Sequence, residues 1–163
     1  MSSERHTVLL VDDSALLRTV LRDVIAGMPE FEVIGTASNG REAIEAVRAL
    51  APDVVTLDVE MPGMDGLETL ARIMRDSPRP VVMLSDADTS GGVDLTLRAL
   101  DLGAVEFVRK GAVTAAGALG AIRPRLQEAL QAAASANLGA VVRPSTVSPA
   151  GEGPRGARPV ADR

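Results

Sequence analysis

Five times along this chain a short, almost unbroken apolar run gives way to a stretch with helical spacing. The runs are TVLLVD (7–12), FEVIGTA (31–37), DVVTLD (53–58), PVVMLS (80–85) and AVEFVRK (104–110). Segments this short and this apolar suit strands covered on both faces, the condition of a parallel sheet. Over 14–27, Leu17, Val20, Leu21, Val24 and Ile25 recur at helical spacing. Asn39 with Glu42 three residues later is a helix-start signature for 39–50. A third helix begins at Asp65-Gly-Leu-Glu68 and stops at Ser77-Pro78, because the residue before a proline is pushed out of helical geometry. A fourth, at about 91–102, carries Leu95, Leu97 and Leu100, and Leu119, Ile122, Leu126 and Leu130 mark a fifth. This alternation predicts an α/β, doubly wound fold: a five-stranded parallel sheet with five helices on its two faces.

The expected domain runs from 7 to 133. Residues 1–6 form an N-terminal extension in which His6 is expected to be exposed and inert. From 134 to 163 the pattern stops, and VRPSTVSPAGEGPRGARPVADR is rich in Pro, Gly, Ser and Arg. Such a composition cannot offset the entropy of ordering by burial, so a disordered linker or tail is expected. With only two aromatics, Phe31 and Phe107, the core must be built from aliphatic residues. The net charge of −5 argues against a general nucleic-acid binder. No apolar run reaches the roughly 18 residues of a membrane span, and the start of the chain lacks a signal-peptide layout. The absence of cysteine rules out a disulfide framework and suits a cytoplasmic setting.

In an open α/β sheet, ligands bind outside the carboxyl ends of the strands. There the first strand ends in Asp12-Asp13, the third in Asp58, the fourth in Ser85 and the fifth in Lys110. Each has a plain reading alone: Asp58 as turn chemistry, Asp13 as a helix cap, Ser85 as a loop serine, Lys110 as a surface lysine. Asp65 reads as a cap, and Met61 and Met64 as packing. Together, three acids, a hydroxyl and an ammonium on one rim form a constellation. Crowded carboxylates repel unless a cation neutralises them, and an all-oxygen set points to a hard ion such as Mg2+, completed by a substrate phosphate. Asp58, delivered at a strand end before the Pro62-Gly63 turn, is then the candidate nucleophile toward phosphorus. Of the 17 basic residues only Lys110 is a lysine, which suggests it is retained for its chemistry.

Four motifs carry a resemblance: LLVDDSALLR, TLDVEMPGMDGLE, VVMLS and EFVRK, in that order. The chain resembles the receiver domain of two-component response regulators over about residues 7–130. VDDSALLR, DVVTLDVEMPGMDGLE and RALDLGAVEFV look most like the receiver of the chemotaxis protein-glutamate methylesterase. The resemblance implies a flavodoxin-like strand order, 2-1-3-4-5, and phosphorylation of Asp58 by a histidine kinase of chemotaxis type. It implies Mg2+ (or Mn2+) on Asp13, Asp58 and the backbone carbonyl of Glu60, with Asp12 acting partly through water. Ser85 and Lys110 would bind phosphoryl oxygens, and Phe107 would be the switch aromatic on a helix 4–strand 5–helix 5 face. A methylesterase effector domain in cis would be the controlled partner.

The chain departs from the family in three places. Lys110 is followed by Gly111 where receivers have a cis-bonded proline; a cis bond before a non-proline costs about 2.5–4 kcal/mol, so a trans bond or rearranged loop is expected. Asp86 follows Ser85 where a small neutral residue is usual, and is expected to face solvent. Gly91 and Gly92 predict a mobile start to the fourth helix. His6 is the only histidine and no nucleophile-elbow motif is present, so an esterase is not expected within these residues. A regulatory piece of a longer methylesterase, or a stand-alone receiver serving as phosphate sink or docking subunit, fits instead. An aspartyl-phosphate phosphatase fits less well: Glu60 stands where such enzymes use a second Asp, and they lack the Asp12-Asp13 pair. A flavin site is disfavoured because Asp12-Asp13 would repel a flavin phosphate.

Overall fold

A computed structural model describes residues 5–85, 92–109 and 118–140, with 92–94, 118–121 and 137–140 described by backbone alone. The strands are β1 (His6–Val11), β2 (Phe31–Ala37), β3 (Val54–Asp58), β4 (Val81–Ser85) and β5 (Glu106–Arg109). The helices are α1 (Ala15–Ala26), α2 (Gly40–Leu50), α3 (Gly66–Asp76), α4 (Gly92–Asp101) and α5 (Ala118–Ala140). All four strand pairings are parallel, in the order β2-β1-β3-β4-β5. This is the flavodoxin-like, doubly wound sheet expected.

Strand periodicity explains why the runs are apolar throughout. Successive side chains point to opposite faces. Val8, Leu10, Val54, Val82 and Leu84 enter one core with Leu21, Ile25 and Leu126 of α1 and α5. Leu9, Val11, Val55, Leu57, Val81 and Met83 enter the other with Val47, Leu70 and Ala99 of α2, α3 and α4. With helices on both faces, neither parity can be polar.

Local chemistry sets the helix starts. The side chain of Ser14 caps α1, accepting from the Leu17 N–H at 3.1 Å. Asn39 caps α2, accepting from Glu42 N–H at 2.9 Å, and Asp65 caps α3, accepting from Glu68 N–H at 2.9 Å. Glu42 reaches back to Ser38, accepting from its backbone N–H and its hydroxyl, and these bonds hold its carboxyl below the usual range. The cap of α1 is thus Ser14 and not Asp13, which leaves the Asp13 carboxylate unused by the helix.

Three boundaries differ from expectation. β1 begins at His6, whose N–H donates to the Glu30 carbonyl and whose ring lies 5.7 Å from that of Phe31, so His6 is a strand residue packed on an aromatic and not part of an extension. β5 begins at Glu106 instead of 104, because Leu102, Gly103 and Ala104 donate back to carbonyls of the last turn of α4, with Gly103 at φ +117. α5 continues to Ala140, past the expected limit of 133. The run QAAASANLGA is alanine-rich, the best helix former, and Ala133 and Ala134 are buried against the α1–α5 core. Gln127 and Gln131 of α5 both donate to Glu30, and with its own backbone N–H these hold that carboxyl low, Gln131 most strongly. The linker expected beyond 140 lies outside the described residues.

Thr56, in the middle of β3, is 1% exposed, and its Oγ1 has no hydrogen-bond partner among the described residues. It shares the parity of Val54 and faces the α1–α5 core. An unpaired buried hydroxyl costs on the order of 1–3 kcal/mol. Thr56→Val is expected to stabilise the domain by about 1 kcal/mol, seen as a higher urea midpoint at unchanged slope; a lower midpoint would show that the hydroxyl is satisfied.

Candidate metal centre at the carboxyl rim of the sheet

The strand order brings β1 and β3 side by side, although other elements separate them in sequence. Their connections diverge there, and the crevice between them is where such sheets take ligands. Asp12 directly follows β1 and its N–H donates to the Ala37 carbonyl at 3.1 Å, which continues the sheet to the rim. Asp58 closes β3, in register with Leu84, and the N–H of Val59 donates to the Leu84 carbonyl at 2.9 Å. Ser85 closes β4, in register with Arg109 of β5.

Carboxylate oxygens of Asp12, Asp13 and Asp58 all lie within 4.8 Å of one another. Asp12 and Asp58 are buried, at 1% and 2% exposure, while Asp13 is exposed. Two carboxylates are thus walled in and the third faces solvent, where an ion could enter. Six-coordinate Mg2+ holds oxygens about 2.0–2.1 Å away, and so up to roughly 4 Å from each other. A hard, acceptor-only trio gathered to within 4.8 Å needs only small side-chain rotations to close on such an ion.

Backbone donors orient the acids. The Ser14 N–H donates to Asp12 Oδ1 at 2.9 Å, and the Glu60 N–H to Asp58 Oδ1 at 3.3 Å. Arg18, one turn into α1, donates to the Asp12 carbonyl. The loop after Asp58 is pinned from the other side, where the Gly66 N–H donates to the Val59 carbonyl at 2.9 Å. A Cβ on Gly66 would run into the Asp58 carbonyl oxygen and the Val59 Cα. Only glycine lets α3 start this close to the backbone of Asp58. Between them, Pro62 and Gly63 are exposed, Gly63 at φ +75, and Met61 tucks into the α2–α4 core.

The structure therefore gathers Asp12, Asp13 and Asp58 and sets Ser85 on the neighbouring strand end. Phe107 is half-buried in β5 against the α2–α4 core, in register with Met83. Lys110, Gly111, Asp86 and Gly91 lie outside the described residues, as do the expectations resting on them. Spacing alone did not reveal the Glu60 side chain: Ser85 Oγ donates to Glu60 Oε2 at 2.9 Å. Nor did it reveal the close approach of Gly66, whose one sequence signal was a glycine at the first position of a helix.

Residues 8–116 match the model of the response regulator receiver domain. The chain belongs to that family. Within it, the receiver is of the CheB type. It is 60% identical over 103 residues to a protein-glutamate methylesterase/protein-glutamine glutaminase of Geobacillus kaustophilus, covering 63% of this chain and 29% of that protein. It is 45% identical over 131 residues to the protein of that name from Methylobacillus flagellatus, covering 80% and 37%. The chain thus spans about a third of the length of these curated relatives. The crystal structure of the response regulator domain of Thermotoga maritima CheB superposes with a TM-score of 0.74 at 39% identity, over 81% of this chain and 98% of that one. A CheX–CheY–BeF3–Mg2+ complex from Borrelia burgdorferi gives 0.66 at 29% identity, over 78% and 88%. Among the described residues no helix is long and apolar enough to cross a membrane.

Proposed function

We infer that this receiver accepts a phosphoryl group on Asp58 from the phosphohistidine of a chemotaxis-type kinase, in the cytoplasm, and passes the state to a methylesterase domain. The observation that supports this most is the convergence of three carboxylates at the ends of β1 and β3, with Ser85 closing the neighbouring strand. Asp13, Asp58 and the Glu60 carbonyl would hold Mg2+ or Mn2+, with Asp12 partly through water. When bound, the ion supplies positive charge to the equatorial oxygens of the transferring group, which phosphoryl transfer needs more than covalent help.

A carboxylate oxygen of Asp58 attacks phosphorus in line. The new O–P bond forms as the donor's N–P bond breaks, and the electron pair returns to the imidazole nitrogen. Asp58 is ready for this role because its backbone is fixed by β3 and one of its oxygens is oriented by the Glu60 N–H. Ser85 donates to one phosphoryl oxygen, and Lys110, a compact point charge, pairs with another. The added charge draws Ser85 inward, and Phe107 follows into the vacated space, repacking the helix 4–strand 5–helix 5 face. The phosphoryl group can move this equilibrium only by its differential interaction with the two arrangements.

Intact mass after incubation with acetyl phosphate tests the reading. The parent chain is expected to gain one phosphoryl group in Mg2+ and none in chelator, and Asp58→Asn to gain none in either. A gain that ignores Mg2+, or one that persists in the variant, contradicts it.

A further inference from the structure

The three carboxylates of the trio are not held equally. Asp12 Oδ1 accepts from the Ser14 N–H at 2.9 Å, and Asp58 Oδ1 from the Glu60 N–H at 3.3 Å. Asp13 is exposed, and among the described residues no donor reaches its carboxylate. Asp13 is therefore aimed through its backbone. Two peptide groups flank its Cα. The second is restrained by the Ser14 N–H on Asp12 Oδ1. The first carries the Asp12 carbonyl, and that oxygen accepts from Arg18 Nη1 at 2.6 Å. A peptide group is planar, so a bond to its oxygen also restrains the nitrogen and Cα on its far side, here those of Asp13.

Helix geometry places Arg18 for this. It is the fourth residue of α1, and helical side chains lean toward the N-terminus, so its guanidinium reaches back over the first turn to residue 12. A cation in a first turn opposes the helix dipole, which would favour an acid there; α1 has none. Arg18 is half-buried. Among the described residues its guanidinium makes no ion pair, and the Asp12 carbonyl is its one hydrogen-bond acceptor.

We propose that Arg18 is a positioning residue for the metal centre: by holding the Asp12–Asp13 peptide it aims the Asp13 carboxylate at the space shared with Asp58. This rests on the reading of the trio as a Mg2+ site and deepens it, since it names a group outside the ligands that sets the affinity. Groups that orient a ligand without touching the metal change affinity by about 10–100-fold when removed. The charge of Arg18 acts in the opposite sense. A guanidinium bonded to the backbone of the trio repels a divalent cation, so loss of its charge alone would tighten binding. Positioning and charge thus predict opposite signs when Arg18 is replaced.

The experiment is a Mg2+ titration of the full chain followed by amide NMR, with urea midpoints measured in chelator alongside. Arg18→Met removes the donor and the charge but keeps an unbranched side chain. It is expected to weaken Mg2+ binding about tenfold, and to shift the Asp13 amide resonance before any metal is added. Arg22→Met is the control. Arg22 lies one turn further along α1 and lines the same shallow cavity as Arg18, with no hydrogen bond to the rim among the described residues. It is exposed and screened by salt, so its removal is expected to change the affinity by less than about twofold. Arg18→Lys keeps the charge and the single donor that the carbonyl uses, and is expected to stay within about threefold of the parent. Equal or tighter binding by Arg18→Met, an equal loss in Arg22→Met, or a loss in Arg18→Lys as large as that expected of Arg18→Met would each overturn the positioning role while leaving the trio as an ion site. A parent chain whose amides do not respond to Mg2+ overturns the ion site itself, and the role of Arg18 with it.

Discussion

Asp13→Asn is expected to make the chain more stable in metal-free buffer and almost insensitive to Mg2+. Both effects follow from the carboxylate trio. Two unit charges within 4.8 Å of each other repel by at least about 1 kcal/mol in bulk water and about 3 kcal/mol at an effective dielectric of 20. Asp13 is exposed, so the lower figure applies, and neutralising it should stabilise the fold by roughly 1 kcal/mol. In the parent, an ion that binds only the folded chain stabilises it by about 2.7 kcal/mol when present at a hundred times its dissociation constant. Removing one direct carboxylate should erase most of that. Urea unfolding of both chains, in chelator and in excess Mg2+, reads both effects. A variant that is destabilised in chelator, or that responds to Mg2+ as the parent does, would mean that the trio is not an ion site.

The second large effect is expected at Gly66. An added Cβ would meet the backbone of Asp58 and Val59, and backbone cannot rotate out of the way as a flexible side chain can. Overpacking of this kind costs about 1–3 kcal/mol, and Gly66→Ala should fall toward the upper end. The clash also bears on the peptide that carries the nucleophile, so the rate of Mg2+-dependent acetyl phosphate labelling should drop by an order of magnitude or more, since small misplacements of a reacting group are costly. Gly63→Ala, in the same loop, is the comparison. It meets nothing within 4 Å but holds φ +75, so its cost is conformational strain of about 1 kcal/mol. If the two alanines cost the same, close approach at Gly66 is not what positions Asp58.

Much of this architecture could be read from the sequence because both faces of the sheet are covered. Continuous apolar runs such as DVVTLD then have one interpretation, and the caps at Asn39 and Asp65 announce themselves by residue type. The end of α5 could not be read in the same way. Beyond Leu130 it buries only the alanines Ala133 and Ala134, which share a core with Phe31 and Met28 but leave no periodic mark of large apolar residues. The start of β5 was misplaced because Ala104 is as apolar as a strand residue, yet its N–H still donates to the Ala99 carbonyl of α4, and only from Val105, whose N–H donates to the Val81 carbonyl, does the chain turn to β4. At the rim, residue types and strand order together brought Asp12, Asp13 and Asp58 into view. The Glu60–Ser85 bond was not legible, since it joins two side chains from neighbouring strand ends and no spacing rule links them.

The most direct test of the account is to find which side chain carries phosphorus. Borohydride reduces an aspartyl phosphate to homoserine and leaves free carboxylates alone. After acetyl phosphate and Mg2+, the tryptic peptide spanning 49–72 should contain homoserine at position 58 and an unchanged Asp53 and Asp65. Homoserine at Asp12, Asp13 or Asp65, or none anywhere in a chain that has gained the phosphoryl mass, would contradict it.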